Sequence, residues 1–387
     1  MKAKVILATI LILAASCVKN EVREVSIHGD GQILYNPAPL RPMTTKADVR
    51  TTKFPTGSTF GSCAWYLPGD NKWDDHHAAA ATATVVPTLY IEPSVISYNE
   101  GEGQWKAWDS GKTYYWPMNG SLTFISWAPY KDSRFDVNRE DGFTITGWTM
   151  ENKPGYGIKT QATSDQSSET DPNVDILLSY TKDCTRNTAK GKVPTMFSHL
   201  LCKVKIVATL AKPLGEGERP WEVTSVTLSN IYTKGDYSTY VKDESNKITL
   251  SKLWRNQSEP ILYENKPKVS VLVKYGEGGI GAVIFPETLF MPQFLTERTK
   301  GELNSRPMIT IECINGKGEV KKLVGLLFNG NASSLSVWNQ GKSITYVVTL
   351  GEEDTYIDFD AKVEDNDWTY IPGDGFNVGV GETINGK

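Results

Sequence analysis

Residues 198–210 read Ser-His-Leu-Leu-Cys-Lys-Val-Lys-Ile-Val-Ala-Thr-Leu. Apolar runs and alternation replace any 3.6-residue period here, which is the pattern of a β-strand. Similar runs lie on either side. Upstream are Gln32–Tyr35, Thr59–Leu67, Thr88–Ile91, Val95–Tyr98, Lys112–Trp116, Ser121–Pro129, Phe143–Thr146 and Asp175–Tyr180. Downstream are Glu222–Leu228, Lys268–Val273, Ala282–Phe285, Met308–Ile314, Glu319–Phe328, Ser343–Leu350 and Ile357–Val363. Turn residues separate them, and that spacing argues for sandwiches. One helical turn is expected near Ala78–Ala83, where Thr82, Thr84, Val85 and Val86 oppose anything longer.

The composition agrees. The 387 residues include 33 Gly, 20 Pro, 11 Trp and 17 Tyr, a mixture of turn formers and strand formers. A chain of this length suits two domains. Glu151–Asn173 reads as a long surface loop, and the polar break Asp183–Lys192 as the boundary between two series of strands. The expected organisation is therefore a leader at 1–16, a first domain at 17–190 and a second at 191–387. The Gly-rich tail from Thr369 reads as a final edge strand or an extension offered to a partner. A formal net charge of -4 leaves no basic surplus to neutralise phosphates, so nucleic acid is excluded as an expected partner.

At the N-terminus, Lys2 and Lys4 precede the apolar stretch Val5–Leu13 and then Ala14-Ala15-Ser16-Cys17. The stretch is shorter than the roughly 20 residues of a membrane span, and it reads as a secretory signal. Small residues followed at once by cysteine resemble a bacterial lipobox, in which Cys17 carries the lipid. The remaining cysteines, Cys63, Cys184, Cys202 and Cys313, are widely spaced in largely apolar segments and are expected as free thiols.

Catalytic patterns are missing. Asp74-Asp75-His76-His77 is the only clustered set of metal-ligand types, and adjacent loop residues seldom converge on one ion, so a solvated loop is expected. His199 at a strand start reads as structural. No Gly-x-Ser-x-Gly elbow or phosphate loop is present. The acidic residues Glu352, Glu353 and Asp354 lack the ligand order of a calcium loop. No cofactor is expected, and no enzyme. Trp105 and Trp108, beside Gly101 and Gly103, are the candidates for an exposed sugar platform, whereas Trp116, Trp127 and Trp148 read as core.

Several motifs taken in order are more specific. Tyr114-Tyr115-Trp116-Pro117 followed by Leu122–Tyr130 resembles the "YWP…LSFFAYAPY" block of fimbrillin-like lipoproteins of Bacteroidales. Asp175–Tyr180 is similar to their "DLLYA" strand, and Phe197–Val204 to "F-x-HALAKV". Val226–Ile231, Phe285–Leu289, Trp338 with Gly341-Lys342 and Tyr346–Leu350, and Asp367-Trp368 also correspond. Thr45-Lys46-Ala47 stands where the family usually has Thr-Arg-Ala. Cys202 and Glu287 depart from the usual small residue and Gln.

The resemblance implies an all-β fold of two tandem transthyretin-like β-sandwich domains behind a lipoprotein signal peptide. It implies export to the outer membrane surface and assembly into adhesive pili. Expected partners are other pilus subunits, the outer membrane through the lipid anchor, and host or bacterial surface receptors. In stalk subunits of such pili, an N-terminal strand is cut off after a basic residue and the next subunit fills the groove. Val22, Val25 and Ile27 are the expected groove-filling residues of that strand. Lys46 and Arg50 are the expected cut sites, since Pro42 protects Arg41. The competing expectation is a surface glycan-binding lipoprotein of a polysaccharide-uptake system.

Overall fold

The computed structural model describes residues 31–39, 54, 56–107, 112–150, 175–242, 248–250, 254–265, 270–276, 281–296, 305–330, 335–352 and 359–364. Cys17, Val22, Val25, Ile27, Arg41, Lys46, Arg50 and Trp108, the loop at 151–173 and the tail from 369 lie outside the described residues.

The described chain is all-β apart from one turn of helix. Its first elements are β1 (Leu34–Pro39), β2 (Phe60–Leu67), α1 (Trp73–His76), β3 (Thr88–Asn99), β4 (Gln104–Ala107), β5 (Ser121–Ala128), β6 (Phe135–Asn138), β7 (Gly142–Thr149), β8 (Leu177–Cys184) and β9 (Lys192–His199). There follow β10 (Cys202–Leu210), β11 (Trp221–Ser238), β12 (Tyr240–Lys242), β13 (Ile248–Leu250), β14 (Trp254–Asn265), β15 (Val271–Val273) and β16 (Ala282–Phe290). The last are β17 (Gln293–Phe294), β18 (Met308–Ile314), β19 (Val320–Leu326), β20 (Val337–Trp338), β21 (Ser343–Leu350) and β22 (Phe359–Glu364).

Seven strands close into a barrel in the order β1-β4-β3-β2-β5-β8-β9. A four-stranded sheet runs β16-β10-β21-β22. A third sheet runs β19-β18-β11-β7-β6, with β14 and β15 also paired to β11. Strands β12 and β13 form a small pair, as do β17 and β20.

The side-chain period of two explains why the central barrel strands are buried on both faces. On β2, Phe60 and Ala64 face the barrel interior, and Cys63, Trp65 and Leu67 face a second core outside it. On β5, Leu122, Phe124 and Ala128 point inward, and Ile125 and Trp127 outward. Gly61 is opposite Trp127 in the register. A Cβ at Gly61 would stand 2.4 Å from the Trp127 ring, so the indole lies flat against bare backbone.

The second core also holds Trp148 from β7, Tyr237 from β11, Trp254 from β14, and Leu289 and Met291. It therefore draws on both halves of the sequence. A third core lies between the four-stranded sheet and the start of β11, around Trp221, Phe285, Phe290, Trp338 and Tyr346. The 18 residues of β11 run from the third core to the second, with register shifts at Leu228/Ile231 and Lys234/Asp236.

The structure places several of the expected features. The run Ser198–Leu210 is two strands: Leu200 and Leu201 are buried between β9 and β10, where the chain passes from barrel to four-stranded sheet. The Leu200 amide donates to the Ile176 carbonyl, and the Gly341 amide donates to Leu201. The polar stretch Asp183–Lys192 covers the end of β8 and its turn into β9, neighbours in the barrel. The helix is at Trp73–His76 rather than Ala78–Ala83, because Trp73 is fully buried and its amide donates to Asp183 Oδ1 at 2.9 Å. Trp105 is buried at 8% exposure and offers no sugar platform. Trp116, Trp127 and Trp148 are core residues, and Cys63, Cys184, Cys202 and Cys313 are buried free thiols.

Candidate functional site

From Gly31 the chain runs directly into the barrel wall at β1. β1 lies parallel to β9, in register from Leu34 opposite Lys192 to Pro39 opposite Phe197. Its other edge meets antiparallel β4 at one register pair, Tyr35 and Trp105. The barrel seam is therefore continuous on one side of β1 and slight on the other. Two prolines explain part of this asymmetry. Pro37 and Pro39 have no amide proton to give to a ladder, and proline is confined to edges and bulges for that reason.

Alternation along the segment is strict. Ile33, Tyr35 and Pro37 are buried and Asn36 is exposed. Tyr35 is the anchor: its ring meets Phe60 at 5.8 Å and Phe124 at 5.9 Å, both edge-on. Burial raises the Tyr35 phenol's pKa above its ordinary value, with Ser62 offsetting part of the effect. Just beyond the possible cut sites, Phe54 packs on Phe60, Trp105 and Phe197 and stays in the same core.

Before β1, the chain pairs a second time. The Ile33 amide donates to the Tyr114 carbonyl and the Trp116 amide donates to the Gly31 carbonyl, both at 2.8 Å. Gln32 and Tyr115 form an antiparallel bridge. The fit there is incomplete. Among the described residues, the buried Tyr114 hydroxyl and Trp116 indole nitrogen have no hydrogen-bond partner. Each such orphan costs about 1–3 kcal/mol. A narrow crevice runs beside them between Ile33, Tyr35, Ile91, Ala107 and Tyr114.

The remaining motif residues are structural. His199 Nδ1 lies 2.5 Å from Oδ2 of the fully buried Asp175. Asp74 pairs with Lys182 at 2.5 Å, and His77 is buried rather than solvated. Glu352 pairs with Lys317 at 2.6 Å, and this partner holds its carboxyl below the usual range. Among the described residues, no three His, Cys, Asp or Glu side chains are placed to hold a metal ion.

Sequence reading located the strand at Gln32–Tyr35 but missed its continuation through Pro39. The signal was present: Ile33, Tyr35 and Pro37 are buried, with half-buried Leu34 and exposed Asn36 between them. The prolines concealed it.

The sequence model of the fimbrillin-like family matches residues 69–368. The chain belongs to the fimbrillin-like family. A fimbrial protein from Bacteroides vulgatus has a similar fold, with a TM-score of 0.52 at 15% identity, covering 86% of this chain and 98% of that one. The tip fimbrial protein Mfa3 of Porphyromonas gingivalis aligns over 87% of this chain and 99% of its own, at 11% identity and a TM-score of 0.38. No curated protein matches the chain by sequence. Membership accounts for the order of the motifs from Tyr114 to Trp368, all inside the matched range.

Proposed function

We propose that this fimbrillin-like chain is a structural and adhesive subunit of a cell-surface pilus, assembled by donor-strand exchange, and not an enzyme. In this reading Cys17 carries the lipid that holds the chain at the outer membrane. Protease cuts after Lys46 or Arg50. The next subunit supplies a strand in place of the one released.

One observation carries the reading: β1 closes the barrel and, among the described barrel strands, is the only one upstream of both cut sites. Cutting would separate β1 from the rest of the chain covalently and leave its segment held by β9, one register pair with β4, the Gly31–Ile33 pairing with Tyr114–Trp116 and the Tyr35 socket. An incoming strand would satisfy the unpaired edges of β9 and β4 through main-chain hydrogen bonds and fill the pockets of Ile33 and Tyr35 with alternate side chains. The orphaned Tyr114 hydroxyl and Trp116 nitrogen leave room for a better-matched occupant. On this view β1, rather than Val22, Val25 and Ile27 alone, is the strand that leaves.

The two-domain division is kept as part of the proposal, with its boundary moved past β9 to the buried Leu200-Leu201 crossing. Of the two tryptophans behind the glycan-binding alternative, Trp105 is buried, and Trp108 lies outside the described residues.

Limited proteolysis of the unlipidated chain from Val18 tests the proposal, with intact mass and native size read together. Release of the segment carrying β1, followed by a denaturant-resistant ladder, is the expected result. A chain that loses β1 and stays monomeric overturns the exchange mechanism.

A further inference from the structure

His77 sits where four chain-distant elements meet. Its imidazole is stacked on the Tyr240 ring, at 4.2 Å and 19°, and lies nearly parallel to the Trp73 ring, at 5.8 Å and 20°. Its Nδ1 lies 3.2 Å from the Arg139 carbonyl, so the neutral ring donates there, and Arg139 returns a bond to the His77 carbonyl at 2.8 Å. Trp73 Nε1 donates to the Tyr240 hydroxyl at 3.2 Å, which donates to the Tyr180 hydroxyl at 2.9 Å. The Tyr240 amide donates to the Asp141 carbonyl. Helix α1, the start of β12 and the β6–β7 turn thus meet at one imidazole, and strand β8 joins them through the Tyr240–Tyr180 bond. Directly after it, residues 80–84 are exposed.

We propose that His77 is the proton-sensitive pin of a clasp that holds α1 and residues 78–86 against β8 and β12, and that mild acid loosens it. His77 is only 5% exposed and is packed against two aromatic rings, so a charge placed there is poorly hydrated. The charged neighbours do not supply what hydration would. On α1, Asp74 is committed to Lys182 at 2.5 Å. On β8, Lys182 is a second cation, 5.9 Å from the same Tyr240 ring, and Asp183 accepts from the Trp73 amide. On β12 the facing group is the Tyr240 phenol. In the β6–β7 turn are the Arg139 guanidinium and Glu140, which pair with each other at 3.3 Å, and the Asp141 carbonyl.

Burial lowers the His77 pKa below its ordinary 6.5, more than the Arg139 carbonyl and Asp74 raise it. When the clasp opens, the ring regains its ordinary value. The open form therefore takes up a proton first as pH falls. The clasp is strongest above that value, weakens as pH drops towards the lower closed-state pKa, and changes no further below it.

The test is hydrogen exchange of the chain from Val18, corrected for intrinsic rates, in peptides covering residues 73–86. Opening in the wild type and in His76→Gln is expected to rise roughly threefold or more between pH 7.5 and pH 5.5, and to stay flat in His77→Gln. A flat wild type, or an equal rise in His77→Gln, overturns the proposal. An equal rise around the distant Asp175–His199 pair does so too, because it would mark a global effect. Should His77→Gln not fold, the two ring titrations are compared by NMR in the wild type. A His77 midpoint below that of His76 supports the clasp, and one at or above it refutes it.

Discussion

Tyr35→Ala measures how firmly β1 is held. The ring is 3% exposed and packed edge-on against Phe60 and Phe124. Truncating a buried aromatic to alanine costs about 3–5 kcal/mol. The phenol's own burial penalty reduces what is lost, which places this site near the lower end, ~3 kcal/mol. At 1.36 kcal/mol per tenfold, that weakens retention of a severed β1 by about 100-fold. The assay uses the chain from Val18 cut within residues 46–50, with release of the N-terminal fragment followed by size and mass. The design has an internal control, because trimmed wild type and trimmed variant are the same molecule. Any difference lies in the fragment. Tyr35→Phe removes only the hydroxyl, and its retention is expected within about 1 kcal/mol of wild type. Equal retention for Tyr35→Ala and wild type would refute the socket as the hold on β1.

Other outcomes are as specific. Trp338→Ala, which empties a fully buried site where the indole donates to the Tyr346 hydroxyl at 2.8 Å, is expected to cost about 3–5 kcal/mol in chemical denaturation. Gly120→Ala meets the Leu67 carbonyl at a φ of +73°, whereas Gly57→Ala meets nothing within 4 Å. The first is expected to lower stability by more than about 1 kcal/mol and the second to leave it nearly unchanged. Burial pushes the Cys184 and Cys313 thiols up to about 11 and raises Cys63 and Cys202 as well. At pH 8 a thiol at 11 is about one part in a thousand thiolate, so alkylation is expected to be slow until denaturant exposes all four.

The sequence was most readable where a strand serves one core. Met308–Ile314 alternates buried and half-buried residues, and both its ends were placed correctly. It was less readable where the chain changes partners. Strand β11 was expected to stop at Leu228, yet it continues to Ser238 through Asn230, which adopts a φ of +59°. Around the shift at Leu228/Ile231 the strand keeps β14 on one edge and exchanges β18 for β7 on the other, and no local pattern announces it. β14 was not foreseen. Its polar residues Arg255, Asn256, Gln257 and Glu259 look like loop, but the strand borders β11 with one face in solvent. Trp105 and His77 were misread for a common reason. Each follows polar or glycine residues, and each is buried by partners far along the chain, Tyr35 and Tyr240. The lipidation and cleavage residues and the expected first filler strand fall outside the described residues.

The distribution of the cores bears on whether a strand can be vacated at all. Among the described side chains of residues 31–37, none belongs to the second or third core; Ile33 and Tyr35 belong to the barrel interior alone. Loss of β1 therefore removes contacts from one core and leaves the other two complete. The second core also holds β2, β5 and β8 from outside, through Trp65, Trp127 and Leu178. An emptied barrel would keep three of its strands clamped against β7, β11 and β14. Strand β9 continues through the buried Leu200 and Leu201 into β10, which is paired to β21 along its whole length. Of the two strands that border the gap, β9 is thus anchored in the four-stranded sheet while β4 ends a short hairpin with β3. The rigid edge is the one that offers the long parallel register. An incoming strand would find its template on β9 and draw β4 in afterwards. Disrupting the Leu200-Leu201 anchor should consequently impair acceptance of a new strand more than an equal loss of packing at β4.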